Sequence, residues 1–245
     1  MKQYTFYLFD MGSTLLEFHN PKWNEDEIVK TGHKRMINHI SDIYGQAIAD
    51  KIDKEVILPW YTYVENERKI KRIEYRICEA LFLKFYELGI HISYKEIIEI
   101  LKKDYLDFYN YAHPNEGVID CLKLLKAKEC KIGVVSNIMY PQEIYIEIFK
   151  RVGLDTFIDN YTFSYENTYM KPNPSIFLRA LMQLNAKISE TLMVGDNEKV
   201  DIIGAKAVGL KTCLYDKDKK YKQHQADFYI NNFMELIDFK VRYEL

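Results

Sequence analysis

The sequence predicts a doubly wound parallel α/β domain interrupted by a smaller all-helical insert. Two observations carry this reading. From His113 onward, short β-branched and aromatic runs alternate with segments of helical period, and such alternation with short connections means a parallel sheet covered on both faces. Between Leu16 and Tyr111, by contrast, the apolar residues recur at helical spacing without a strand-like run.

In chain order, Tyr4 to Phe9 is an apolar and aromatic run ending at a carboxylate and then Gly12-Ser13-Thr14, the pattern of a buried strand entering a loop. Helical stripes come next: Ile28, Met36, Ile37 and Ile40, then Ile77, Ala80, Leu81, Lys84 and Phe85, then Ile97, Ile98, Leu101, Tyr105 and Phe108. Pro114-Asn115-Glu116-Gly117 opens a helix through Leu125, and Lys131-Ile132-Gly133-Val134-Val135 is a compact strand. Further strands are expected at Phe157–Phe163, Thr191–Val194, Lys211–Tyr215 and Phe228–Ile230, with helices near Gln142–Arg151, Ser175–Leu184 and Val200–Val208. Asn173-Pro174 suits an N-cap with proline at the first helical position, and Gly153 and Gly209 suit helix C-termini. The expected division is a core of residues 1–15 and 112–245, with residues 16–111 as the insert.

Composition narrows the function classes. The chain has 245 residues, 34 Lys+Arg against 36 Asp+Glu, and 48% hydrophobic residues, as a folded globular protein does. Interspersed charges summing to −2 give no basic field for nucleic acid. Apolar stretches such as Ala80-Leu81-Phe82-Leu83 fall far short of the roughly 18 residues of a membrane span. The run before Asp10 is too short for a secretory signal, so a cytoplasmic protein is expected. Cys78, Cys121, Cys130 and Cys213 lack CxxC spacing and read as reduced structural thiols. Nothing fixes the oligomeric state.

In an open parallel sheet, ligands bind beyond the carboxyl ends of the strands. Polar residues stand at four such places: Asp10-Met11-Gly12-Ser13-Thr14, Ser136-Asn137, Lys171-Pro172, and Gly195-Asp196 with Asp201 five residues on. Carboxylates, a hydroxyl and a lysine suit Mg²⁺ with a phosphate, because hard oxygens hold the metal while hydroxyl and ammonium hold phosphate oxygens.

In this order the set resembles the haloacid dehalogenase superfamily, whose motifs are DxDxT, a Ser or Thr after the second strand, a Lys often within KPxP, and GDxxxxD. Here they read Asp10-Met11-Gly12-Ser13-Thr14, Val134-Val135-Ser136-Asn137, Lys171-Pro172-Asn173-Pro174 and Gly195-Asp196-Asn197-Glu198-Lys199-Val200-Asp201. The insert, between the first and second motifs, matches the family's helical cap of the first type. The resemblance implies a Mg²⁺-dependent phosphohydrolase of a small phosphorylated metabolite. Asp10 would be the nucleophile that carries an aspartyl-phosphate. Ser136 and Lys171 would hold the phosphoryl oxygens. Asp10, the carbonyl of Gly12 and Asp196 would hold Mg²⁺, and Asp201 would orient Lys171 or a metal-bound water. Ser13, Thr14 and Asn137 beside them, with Glu17 and His19 where the insert begins, are the expected substrate-binding residues.

One position departs from the pattern. Phosphatases of this family usually carry a second Asp two residues after the nucleophile to protonate the leaving alkoxide, and this chain has Gly12. Proton transfer contributes about 10²–10⁴ in rate, so simple alkyl phosphates are expected to be poor substrates. Three readings stay open: a leaving group acidic enough to need little help, a substitute acid such as Glu17 or His19, or a relative that binds phosphate or a partner without turnover. Dehalogenation is less favoured, since Asp196 and Asp201 supply metal carboxylates that it does not need. Arg68, Lys69, Lys71, Arg72 and Arg76 read as a solvated helix face, and Trp23, Trp60, Tyr61 and Tyr63 as apolar contacts within the insert. His33, His39, His91, His113 and His224 show no metal spacing.

Overall fold

The computed structural model describes residues 4–237 and contains, among them, strands β1 (Phe6–Phe9), β2 (Leu16–Glu17), β3 (His113–Pro114), β4 (Lys131–Ser136), β5 (Asn160–Phe163), β6 (Thr191–Gly195), β7 (Lys211–Tyr215) and β8 (Phe228–Ile230). Six of them form one parallel sheet in the order β5-β4-β1-β6-β7-β8. The chain winds outward from β1 through β4 to β5, then returns to the other side of β1 for β6, β7 and β8. That reversal makes the carboxyl end of β1 a topological switch point.

Both faces of this sheet are covered, which is why its strands are continuous apolar runs. Leu8, Val135 and Met193 pack with Ile176, Phe177, Ala180 and Leu181 of the helix Pro174–Leu184. Asn173 caps that helix, its Oδ1 accepting from Ser175 N at 3.0 Å, with Pro174 at the first helical position. Gly153 (φ 76°) and Gly209 (φ 83°) end their helices in the left-handed region, as the sequence predicts. All four cysteines are buried and free.

Three element boundaries differ from expectation. Phe157 closes a 3₁₀ turn, Asp155–Phe157, and β5 starts only at Asn160. The helix expected from Val200 begins as a π turn, Glu198–Ile202, capped by Asn197, and becomes α-helical at Ile203–Ala207. Leu16 and Glu17 are a strand rather than the start of a helix: Leu16 pairs with Pro114 and Glu17 with His113, antiparallel. The strand leaving the core thus lies against the strand that re-enters it.

Among the described residues two compact units result, one of residues 4–17, 113–137 and 149–237, the other of residues 18–112 and 138–148. Relative to the expected insert of residues 16–111, the second unit starts later and also takes in the segment after Asn137. Within it the helix Glu25–Tyr44 packs chiefly against Tyr94–Asp104, burying Met36, Ile40, Ile97 and Leu101. Ser93 opens the latter helix with a capping box: its hydroxyl accepts from Glu96 N at 3.3 Å, and Glu96 Oε2 accepts from Ser93 N at 2.8 Å.

The basic run is not a uniformly solvated face. Lys69, Lys71 and Arg76 are largely exposed and paired with Glu65, Glu67 and Glu79. Arg68 is buried, its guanidinium gripping both oxygens of Glu74, whose side chain is fully buried, and reaching Glu65 at 3.3 Å. Charge alone in the sequence concealed this, because a planar fork matched to a carboxylate can go inside where a lone cation cannot. Trp23 packs on Phe108 and Tyr111, Trp60 is buried, Tyr61 meets the Tyr140 hydroxyl at 3.2 Å, and Tyr63 is exposed. No helix among the described residues is long and apolar enough to cross a membrane.

Candidate active site

Sheet register assembles the site. Phe9 lies opposite Val134 on one side and Val194 on the other. Continuing each strand by one or two residues brings Asp10, Ser136 and Asp196 to the carboxyl ends of three adjacent strands. Asp10 extends the ladder, its N–H donating to Val194 O at 2.9 Å. The chain then turns sharply: Ser13 N donates to Leu16 O and Leu16 N to Met11 O, each at 2.8 Å, with Ser13 in the left-handed region (φ 56°). Thr14, fully buried by this turn, donates its hydroxyl to Asp196 Oδ1 at 3.2 Å.

Lys171 enters from the next loop and is 1% exposed. Asn137 holds its backbone from both sides, Oδ1 accepting from Lys171 N at 2.7 Å and Nδ2 donating to Lys171 O at 3.0 Å. The peptide bond from Lys171 to Pro172 is cis. So held, the ammonium donates to Asp10 Oδ1 at 2.5 Å and Asp201 Oδ1 at 2.6 Å. Asp201 in turn accepts from Asn197 N at 3.0 Å. Gly195 permits that approach, since a Cβ there would lie 2.5 Å from the Asp201 carboxyl carbon.

Carboxylate oxygens of Asp10, Asp196 and Asp201 all lie within 4.8 Å of one another. Three carboxylates share one ammonium, so the ionised cluster carries −2. Its electrostatics register the excess. Burial, then the charges of Asp10 and Asp201, push Asp196 up to about 7. Burial also pushes Asp201 up to about 6, against the pull of Lys171. Lys171 is raised although burial opposes it, because Asp10 and Asp201 surround its charge. A hard divalent cation answers both the charge and the donor type, so this set fits Mg²⁺.

The remaining expected residues are placed differently. Ser136, 4% exposed, ends β4 beside Asp10's strand. Glu17 accepts from Lys217 Nζ at 2.6 Å, and His19, largely exposed, pairs with Glu25 at 2.8 Å. Sequence reasoning passed over Asn115, whose Nδ2 donates to Thr14 O at 2.8 Å and whose Oδ1 accepts from Lys217 at 3.2 Å. Its only signal was the polar residue in the turn where the chain re-enters the core.

A haloacid dehalogenase-like hydrolase model matches residues 5–209, most of the chain and all four motifs. The chain belongs to the haloacid dehalogenase-like hydrolase family. Among family members, it is 32% identical over 140 residues to the pyrophosphatase PpaX of Halalkalibacterium halodurans, covering 53% of this chain and 64% of that one. With the glyceraldehyde 3-phosphate phosphatase of Pyrococcus furiosus the identity is 37% over 136 residues, covering 53% and 55%. The chain thus spans less than two thirds of either relative. Among solved structures, a HAD phosphatase from Thermococcus onnurineus matches with TM-score 0.58 and 21% identity over 98% of both chains. A 2-haloacid dehalogenase from Pseudomonas syringae matches with TM-score 0.63 and 20% identity over 96% of this chain and 97% of that one. Fold likeness alone therefore does not separate the two chemistries.

Proposed function

We propose that the chain is a magnesium-dependent phosphohydrolase acting on a small phosphorylated metabolite through a phosphoryl group carried on Asp10, with the helical unit as its cap. The observation that carries the reading is the charge of the buried cluster, three carboxylates against one ammonium. A carbon-centred displacement has no use for a divalent cation, whereas a phosphate ester needs its own charge screened before a carboxylate can approach it.

Asp10, Asp196 and the main-chain carbonyl of Gly12 would hold Mg²⁺, with Asp201 beside them. Bound there, Mg²⁺ supplies charge screening for the phosphoryl oxygens. Lys171 occupies Oδ1 of Asp10, which leaves Oδ2 to attack phosphorus in line. The new P–O bond forms as the bond to the leaving oxygen breaks, and water later cleaves the aspartyl-phosphate to free phosphate. The Ser136 hydroxyl and Lys171 ammonium take the equatorial oxygens as charge builds. Asp201 and Asn137 fix Lys171 from its two ends. Ser13 and Thr14 shape the floor. Glu17 is committed to Lys217. With Gly12 in place of an acid, the substrate is one whose leaving group departs with little protonation: an aryl, acyl or anomeric sugar phosphate.

Hydrolysis of p-nitrophenyl phosphate tests this reading. Turnover with Mg²⁺, loss in EDTA and loss in Asp10→Asn are expected. No turnover above the Asp10→Asn control would sink the enzyme, and EDTA-resistant halide release from a 2-haloacid would replace it with a dehalogenase.

A further inference from the structure

Where the chain re-enters the α/β unit, one residue grips the loop that follows Asp10. Asn115, 8% exposed, lies between β3 and the helix Val118–Ala127. Its backbone N–H donates to Leu15 O at 3.0 Å and its Nδ2 to Thr14 O at 2.8 Å, so it takes two successive carbonyls of that loop. Its side-chain amide has one permitted orientation. Lys217, two residues past β7, can only donate and stands 3.2 Å from Oδ1, while Thr14 O can only accept and faces Nδ2. Glu17 Oε2 accepts from the same ammonium at 2.6 Å and holds it there.

What this grip fixes is the Thr14 hydroxyl. Thr14 is fully buried and donates to Asp196 Oδ1 at 3.2 Å. Contacts within hydrogen-bond distance therefore run from Lys217 through Asn115 and Thr14 to a carboxylate of the open cluster. A carboxylate meets a cation in the orientation that its other hydrogen bonds allow, and losing such an outer partner costs about 10–100-fold in metal affinity. Asn115 belongs to none of the four motifs, yet it controls the backbone from which that hydroxyl projects.

We propose that Asn115 is a positioning residue for the metal site, acting through Thr14 on Asp196, with Lys217 setting the orientation of its amide. This role rests on the Mg²⁺ site proposed above. Mn²⁺ binding to the full-length protein at pH 8, followed by electron paramagnetic resonance, separates its failure from that of the site. Wild type should bind Mn²⁺, and Asn115→Ala should bind it about 10-fold more weakly. Thr14→Val should weaken binding by at least as much, and the double variant should be no weaker than Thr14→Val alone, because both act along one path. A merely structural contribution of Asn115 would instead add its loss to that of Thr14. Asn115→Asp keeps the backbone and Lys217 contacts but sets an oxygen against Thr14 O. It should bind about 10-fold more weakly although it brings a negative charge toward the cation, and it carries the test if Asn115→Ala does not fold. Absence of binding in wild type would remove the metal site and this role together. Binding in wild type with either Asn115 variant equally tight, or additive losses in the double variant, would overturn the role of Asn115 and leave the site standing.

Discussion

Each unit buries a cluster of charges, and the two clusters differ in whether they close on themselves. In the helical unit the buried Arg68 meets Glu74 and Glu65, and the exposed Lys69 reaches Glu65 from the solvent side at 3.1 Å, so two cations, one of them at the surface, answer two carboxylates. In the α/β unit Asp10, Asp196 and Asp201 have, among the described residues, Lys171 alone, and two negative charges are unanswered. A closed network holds a fold together and asks for nothing further. An open one stores repulsion that an added cation or the uptake of a proton relieves, and this contrast separates the candidate site from the scaffold more sharply than burial does.

The largest expected effect removes the reacting group. Asp10→Asn should lower kcat/KM for p-nitrophenyl phosphate about 10⁴-fold or more, because the amide cannot form the covalent intermediate. Arg68→Met is the counterpart in the closed cluster. It strands Glu74 without its partner and should cost about 3–5 kcal/mol in urea denaturation. That loss should be the same with and without Mg²⁺, and the double variant Arg68→Met/Glu74→Leu should recover most of it. A Mg²⁺-dependent loss would break the contrast.

The open cluster makes a pH prediction. Asp196 is pushed up to about 7 and Asp201 to about 6 by burial, with neighbouring carboxylates adding to it. A carboxyl whose folded pKa exceeds its unfolded value contributes stability that is complete below about pH 4 and lost as pH rises through the folded pKa. Metal-free protein should therefore lose on the order of 2–4 kcal/mol between pH 4 and 7. Asp196→Asn removes the share of that dependence that belongs to Asp196, the group raised furthest. In EDTA at pH 8 the variant should melt above wild type, while added Mg²⁺ should raise the melting temperature of wild type and not of the variant. A variant that melts below wild type in EDTA would show that Asp196 is paired in a way the charge count misses.

Strand runs and motif residues were legible because parallel strands buried on both faces are written as unbroken apolar stretches, and the polar residues at their carboxyl ends make the site. Asp10, Lys171 and Asp201 could be picked out as polar residues beyond strand ends, and the family resemblance supplied their expected roles. That Asn137 would grip the Lys171 backbone, and that Asn115 would tie the re-entry turn to Thr14, depended on tertiary approach that no spacing encodes. Arg68 was misread for the opposite reason. Its local pattern is that of a surface helix, and only Glu74, six residues on past a turn, turns it inward. Leu16–Glu17 took its strand form from a partner about a hundred residues away.

The smallest effect, and the most informative about chemistry, concerns Gly12. The left-handed residue of its turn is Ser13 (φ 56°) rather than Gly12, so an aspartate at position 12 meets no φ penalty. If leaving-group protonation limits the wild-type enzyme, Gly12→Asp should narrow the gap between p-nitrophenyl phosphate and a simple alkyl phosphate about 10-fold in kcat/KM, by raising the alkyl rate. The same substitution adds a fourth carboxylate to a cluster already in excess. In EDTA the variant should then melt below wild type, with Mg²⁺ restoring more than it does for wild type. Gly12→Asn, equal in size and uncharged, separates the two consequences: it should leave the alkyl-to-aryl ratio and the EDTA melting temperature near wild type. Should Gly12→Asn narrow the gap as well, the side chain acts by filling space, and a missing proton donor is not what limits this enzyme.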